Sequence, residues 1–295
     1  MNIGISIDHN KLHCYVGKTV HKELYRTSGL LPEGYYSQLQ AIDNLINTIQ
    51  RRFGKAKFLG VSVSENCLNY DADDQQLMAR WRDDIEQRTR LQCHMVKHSQ
   101  SAVLAESIRV KPYQKDKVMG VFLDHSCGVE VVDKCRQQDI AQQCVQPWAH
   151  SLLPEFDSFT DGLTPVCRCG NEMCIEQFIT VEGIERQYHQ VVLKDKSLSE
   201  IYTEIGQCHS HAVRIYRAFL DQLARSLSML VDRYRPAHMV LFGSVASYHS
   251  LASDLKLALA RYCDCSLLPH IALSQLDEFV YAQGASMLKV QKIKQ

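Results

Sequence analysis

The sequence has no net charge, no long apolar run and no low-complexity stretch, and each absence removes a class of function. With 33 Lys+Arg balanced by 33 Asp+Glu, no global field draws the chain to nucleic acid or to an anionic membrane. No segment approaches the ~18 apolar residues of a membrane helix. The opening MNIGISIDHNKLHCYVG has no basic leader followed by an apolar run, so no signal peptide is expected. Without a secretion signal, the twelve cysteines point to a reducing cytoplasm, most of them serving as small buried hydrophobes. A linker rich in Pro, Gly or Ser is also missing. What is present is an ordinary 45% hydrophobic content, which excludes disordered and collagen-like chains. The 295 residues exceed one simple core and fit two domains of about 100–200 residues each.

Hydrophobic patterning predicts two similar halves. Ile3, Ile5 and Ile7 alternate as a strand, and Leu12–Val16 follows across the polar turn Asp8–Lys11. Leu39, Ile42, Leu45, Ile46 and Ile49 recur at helical spacing between Tyr36 and Phe53. Phe58–Val63 reads as a buried strand, Asp83–Gln92 as a helix, Cys93–Val96 as a short strand and Ser99–Ser107 as a helix with Ser99 as N-cap. The second half repeats the scheme: a strand from Val118, its hairpin partner Val129–Val132, then a loop-rich region from Gln146 to Thr180. A long helix runs from Val213 to Tyr234 and is stopped by Pro236. His238–Phe242 is a strand, Leu251–Tyr262 a helix and Gly284–Val290 a closing helix. Strands followed by helices, twice, give an α/β architecture with two lobes.

One motif is chemically specific. Cys167-Arg-Cys169-Gly-Asn-Glu-Met-Cys174 sets three thiols within eight residues, with Gly170 allowing the tight turn. Such spacing wraps a tetrahedral Zn²⁺, which needs a fourth ligand; His150 upstream is the best candidate. Four protein ligands close the metal to water and make it structural.

The run Cys167–Glu176, CRCGNEMCIE, resembles the zinc signature C-x-C-G-x-x-G-C-x-E of the ROK family of sugar kinases and sugar-responsive repressors. The resemblance extends over nearly the whole chain. Ile3–Val16 is similar to the opening phosphate-loop strand pair, and Val96–Glu106 to the catalytic strand and helix start. Leu123–Val131 is similar to the second glycine turn, Gln146–His150 to the E-x-G-H element, and Met239–Ala246 to the nucleotide strand and turn. It implies an α/β, two-lobed actin-like ATPase fold of duplicated ribonuclease-H-like domains with a structural zinc site. Residues 1–117 would form the N-terminal lobe, completed by a C-terminal helix at about 282–295, and 118–281 the lobe carrying the zinc loop. It further implies that His150 and Glu176 contact sugar hydroxyls, His150 while also holding zinc with Cys167, Cys169 and Cys174. A homodimer is implied as well.

The departures from the family pattern bear on activity. Its opening D-I-G-G-T-K is here Ser6-Ile-Asp8-His9-Asn10-Lys11, of which Lys11 alone keeps a polar family residue. Asp8 and His9 replace glycines that let backbone amides approach phosphates. The N-D pair carrying the catalytic base becomes Lys97-His98; His98 is the candidate base, its usual pKa of about 6.5 suiting proton transfer near neutrality. Asn69-Tyr-Asp71-Ala-Asp73 only superficially resembles that element and reads as a turn. The glycine turn G-T-G-x-G-x-G becomes Asp124 to Glu130 with Gly128 alone retained, placing two acids where the γ-phosphate would lie. Asp124, His125 and Ser126 are consecutive and cannot converge as a catalytic triad. The third turn keeps Gly243 and has Ser244, leaving room for a weak nucleotide contact. The Glu of E-x-G-H becomes Pro147, and 16 residues separate His150 from Cys167, so His125 is a substitute metal ligand to consider. Cys263 and Cys265 have no His in sequence reach and read as structural.

These observations lead to the expectation of a sugar-kinase-like protein that has lost phosphoryl transfer and binds a sugar or derivative in a regulatory role. The alternative is an active ATP-dependent hexose or N-acetylhexosamine kinase with His98 as base. Zn²⁺ is expected in either case, ATP and Mg²⁺ only in the second. Partners are a small-molecule sugar and a second copy, with no nucleic acid and no membrane. DNA-binding relatives carry a helix-turn-helix ahead of the first strand.

Overall fold

The computed structural model describes residues 1–19, 22–64, 72–109, 117–133, 148–275 and 277–288. The chain divides into two compact units, and each is built on its own sheet. The first holds the described residues of Met1–Lys111 and Gln275–Gln295, the second those of Pro112–Lys134 and Gln143–Ser274.

In the first unit β1 (Asn2–Asp8) turns at His9 and Asn10 into β2 (Lys11–Thr19), with Asp8 opposite Lys11. β3 (Lys22–Leu30) extends this antiparallel meander, while β4 (Leu59–Val63) and β5 (Cys93–Lys97) add in parallel on the other side of β1. The sheet order is β3-β2-β1-β4-β5. β1 and β4 are covered on both faces, which is why their apolar content reads as a run as much as an alternation. Helix α1 (Tyr35–Phe53) buries Leu39, Ile42, Ile46 and Ile49, the stripe its spacing predicts. α2 (Ala72–Thr89) and α3 (His98–Arg109) complete the crossovers.

The C-terminal helix α10 (Val280–Ala285) lies directly on this sheet and on α3. A Cβ at Gly4 would stand 1.9 Å from the Ala282 carbonyl oxygen, and one at Gly284 1.9 Å from that of Ser101. Glycine at both positions is thus a condition of the backbone-to-backbone contact.

The second unit pairs β6 (Lys117–Leu123) with β7 (Cys127–Asp133) as a hairpin and adds β8 (His238–Phe242) and β9 (His270–Leu273) in parallel. Its order, β7-β6-β8-β9, repeats the β2-β1-β4-β5 portion of the first sheet. Around it lie α4 (Ser158–Asp161), α5 (Glu176–Ile179), α6 (Val181–Val192), α7 (Leu198–Gly206), α8 (Ser210–Tyr234) and α9 (Leu251–Leu259). Their core is built round Phe178 and Phe219, both 0% exposed. α8 ends at Arg235 in the left-handed region (φ 48), one residue before Pro236. No helix among the described residues is long and apolar enough to cross a membrane.

Several elements differ from the sequence expectation. The helix predicted at Asp83–Gln92 spans Ala72–Thr89; its first five residues, ADDQQ, carry no apolar periodicity that would reveal the earlier start. Asp73 therefore sits in α2 rather than a turn, and Asn69–Asp71 lie outside the described residues. The closing helix begins at Val280, four residues before Gly284. α3 starts at His98, directly after β5, with no N-cap role for Ser99. α9 stops at Leu259, short of Tyr262.

Candidate metal centre and the phosphate and base positions

The four candidate metal ligands are brought together by short antiparallel pairing, before any cation is considered. Leu152 bridges Cys174, with Leu153 N–H donating to Met173 O at 2.9 Å and Ile175 N–H to Ser151 O at 2.9 Å. That pairing places His150 beside Cys174. His150 ends a single 3-10 turn, Trp148–His150, pinned by the buried Trp148 indole donating to Ser226 O at 3.0 Å. On the other side, Gly170 (φ 87) closes a turn in which its N–H donates to Cys167 O at 2.8 Å. Met173, at the second glycine of the signature, holds φ 59, a conformation that disfavours a side chain.

The result is a four-residue cluster in which the donor atoms of His150, Cys167, Cys169 and Cys174 all lie within 4.8 Å of one another. His150 Nδ1 is 3.5 Å from Cys167 Sγ, and Cys169 Sγ is 3.5 Å from Cys174 Sγ. Tetrahedral zinc, with bonds of about 2.3 Å to sulfur and about 2.0 Å to nitrogen, separates its ligands by roughly 3.5–3.8 Å. The donor set therefore fits a thiophilic tetrahedral ion. Burial pushes the Cys174 thiol up to about 12, and its sulfur neighbours add to this. The exposed Cys169 is pulled the other way, chiefly by the Asn171 amide. Glu176 borders the cluster, 3.7 Å from His150 Nδ1 and 3.8 Å from Cys167 Sγ, with Arg168 3.8 Å from its other oxygen.

His125 does not belong to this cluster. Its Nδ1 meets Glu182 Oε1 at 2.6 Å on an exposed surface, which raises the imidazole above its ordinary pKa.

The residues that the family resemblance sets at the base and phosphate positions lie as follows. Ser6 on β1 and His98 at the start of α3 are buried against each other, Ser6 Oγ and His98 Nε2 lying 3.1 Å apart. Tyr281 of α10 stacks on the His98 ring at 4.0 Å and 5°. His98 is only 7% exposed. Lys11 is exposed at the start of β2, and His9 before it keeps a left-handed φ of 45 although it is not glycine.

In the second unit Gly128 lies inside β7 opposite Phe122, where a Cβ would meet open space. Glu130, expected beside the phosphate turn, is instead buried within β7 opposite Gly120. Gly243 (φ 97) follows β8, and a Cβ there would stand 2.2 Å from the Leu123 carbonyl oxygen. Packing against the Leu123 backbone by itself requires glycine there. Ser244, next in the chain, donates its hydroxyl to Asp124 Oδ1 at 2.7 Å, and its N–H is 3.4 Å from Oδ2. Pro147 lies outside the described residues. Cys263 is half-buried and Cys265 exposed, with Asp264 capping the single turn that follows.

Sequence reasoning brought His150 and the three cysteines to one centre. It did not find Tyr281 over His98, the Asp124–Ser244 contact, or Arg225, which donates from α8 to the Pro154 and Glu155 carbonyls and to Asp161 in the connection between His150 and Cys167. Tyr281 lies ahead of the helix expected at Gly284–Val290, and nothing around it in the sequence signals a specific ring partner.

Comparison with known proteins places this chain in a family and its fold among solved structures. The ROK family model matches residues 2–292, and the chain belongs to the ROK family. It is 21% identical over 299 residues to an N-acetyl-D-glucosamine kinase of Pectobacterium carotovorum subsp. carotovorum, covering 98% of each chain. Among solved structures it is similar to the ROK hexokinase from Thermus thermophilus, with a TM-score of 0.75, 18% identity and 97% of both chains covered. It is also similar to a ROK family transcriptional regulator, a homologue of the E. coli MLC protein: TM-score 0.73, 14% identity, 97% of this chain and 77% of that one. The fold is the two-lobed, actin-like α/β fold of the ROK sugar kinases.

Proposed function

We propose that this chain is a ROK-family protein that has lost phosphoryl transfer and binds a sugar or sugar derivative in a regulatory role. The observation that carries the reading is the Ser6–His98–Tyr281 stack. Phosphoryl transfer depends on positioned anionic ligands for the metal and a base within reach of the acceptor hydroxyl. Here a neutral serine and a buried imidazole occupy the two positions where the family carries acids. The imidazole is engaged at Nε2 and covered on one face. A base so placed does not meet a substrate hydroxyl.

His150, Cys167, Cys169 and Cys174 would hold a structural Zn²⁺, closed to water by its four protein ligands. Held by these four residues, a Zn²⁺ would add a cross-link to the loop, from which Glu176 and His150 would contact sugar hydroxyls. Lys11, Gly128, Gly243 and Ser244 are then remnants of a nucleotide site rather than a working one. A homodimer, as the family resemblance implies, is part of the reading and is checked by sedimentation.

The competing reading, an active hexose or N-acetylhexosamine kinase, draws on the activity named for the similar Pectobacterium protein. An ADP-release assay with Mg-ATP and a panel of hexoses and N-acetylhexosamines separates the two. Binding of a sugar without ADP release supports the proposal; turnover on any of them refutes it.

A further inference from the structure

The turn between β6 and β7 and the turn after β8 form a corner rich in hydrogen-bond donors, and the chain supplies its own anion to it. Asp124 Oδ1 accepts from the His125 N–H at 3.1 Å and from the Ser244 hydroxyl at 2.7 Å. Oδ2 faces the Ser244 N–H at 3.4 Å. The His125 ring stands beside the carboxylate, Nε2 lying 4.0 Å from Oδ1. The neighbouring donors are satisfied too: Val181 N–H by the Asp124 carbonyl at 3.0 Å, and Gly183 N–H by Thr180 Oγ1 at 3.3 Å. Two amides, a hydroxyl and an imidazole converging on one point are a phosphate-type seat. The Asp124 carboxylate, 50% exposed, sits in it.

We propose that Asp124 is an internal stand-in for a phosphate group, filling an anion seat that would otherwise take up inorganic phosphate or the phosphate chain of a nucleotide. The inference rests on the reading that phosphoryl transfer is lost, and adds a residue that keeps the corner shut. The loop does not depend on the carboxylate for its shape, because the backbone of Asp124 makes its own bonds to Ser126 and Val181. Vacating the side chain therefore leaves the donors in place.

The test titrates the full chain with inorganic phosphate and, separately, with Mg-ATP, following heat and the amide resonances of His125 and Ser244. Wild type, Asp124→Ser, Asp124→Asn and the double variant Asp124→Ser with Ser244→Ala are compared. Phosphate affinity is expected to rise at least about tenfold in Asp124→Ser, the equivalent of one charge-assisted hydrogen bond. Both amides should shift, and the double variant should lose most of the gain. Asp124→Asn, which keeps shape and removes charge, should fall between. A gain for inorganic phosphate identifies a general anion seat; a gain for Mg-ATP alone identifies a nucleotide remnant, and either supports the proposal. No gain in folded variants overturns it, as does a gain that survives Ser244→Ala. Loss of folding in both single variants overturns it too, since the carboxylate would then be a fold determinant. Wild type turning over ATP without movement of these amides would sink the functional reading and leave this one standing.

Discussion

Arg225 is the residue on which the long connection between His150 and Cys167 hangs, and replacing it gives a sharp energetic expectation. Its side chain, 6% exposed on α8, donates to the carbonyls of Pro154 and Glu155, to Asp161 Oδ1 and, at 3.0 Å, to Asp221 Oδ2. Asp161, with a side chain 2% exposed, also accepts from the Asp157 N–H at 3.0 Å and from Gln222 at 3.3 Å. Burial alone would push the guanidinium pKa down, but the two carboxylates outweigh it and the net shift is upward. Arg225→Met keeps the apolar stem and strands the Asp161 carboxylate in a dry site. Breaking such a pair costs about 3–5 kcal/mol, a large share of the roughly 5–15 kcal/mol by which proteins are stable. Adding Asp161→Leu to Arg225→Met should recover at least half of the loss, because a whole pair exchanged for apolar groups is close to neutral. Urea denaturation followed by Trp148 fluorescence, with metal and after chelation, measures both. A loss below about 1 kcal/mol in Arg225→Met would show that the loop is held by something else.

Three further expectations follow from the geometry. Elemental analysis should find one zinc per chain; Cys174→Ser should abolish it and lower Tm, and an unchanged Tm without metal would contradict a structural role. Gly243→Ala should destabilise by about 3 kcal/mol or more, since a Cβ 2.2 Å from the Leu123 carbonyl must displace a strand end and φ 97 disfavours any side chain. A soluble variant of unchanged stability would contradict the packing. The His125 pKa is raised by Glu182, so this pair stabilises fully below the unfolded value of about 6.5 and loses its effect as pH rises through the folded pKa. NMR titration should show the His125 pKa falling in Glu182→Gln, and an unmoved value would mean the pair does not form in solution.

The sequence made the framework legible where burial is two-sided or strongly periodic. β1, α1, β4, the β6–β7 hairpin, α8 and β8 were readable from Ile3, Ile5 and Ile7, from the Leu39–Ile49 stripe and from Val213–Tyr234. β3 was not, because as an edge strand it is mostly exposed and its residues KELYRTSGL do not alternate. α6 and α7 carried a usable signal in Ile184, Tyr188, Leu198, Ile201 and Ile205 that was passed over beside the cysteine loop. At the metal centre the ligand types and short spacing sufficed. How His150 crosses 16 residues to meet Cys167 depends on Trp148 and Arg225, whose partners are remote in sequence. Asp124 and Ser244, 120 positions apart, could not be paired from the chain alone, nor could the close approach of the Leu123 backbone to Gly243.

Loss of phosphoryl transfer is the central claim, and calorimetric titration of the zinc-loaded protein with Mg-ATP tests it most directly. The titration is run with and without hexoses and N-acetylhexosamines, and ADP release is followed in the same samples. The account expects no nucleotide heat and no ADP, with a sugar or sugar derivative binding alone. Saturable Mg-ATP binding accompanied by ADP release would contradict it and make the protein a working kinase.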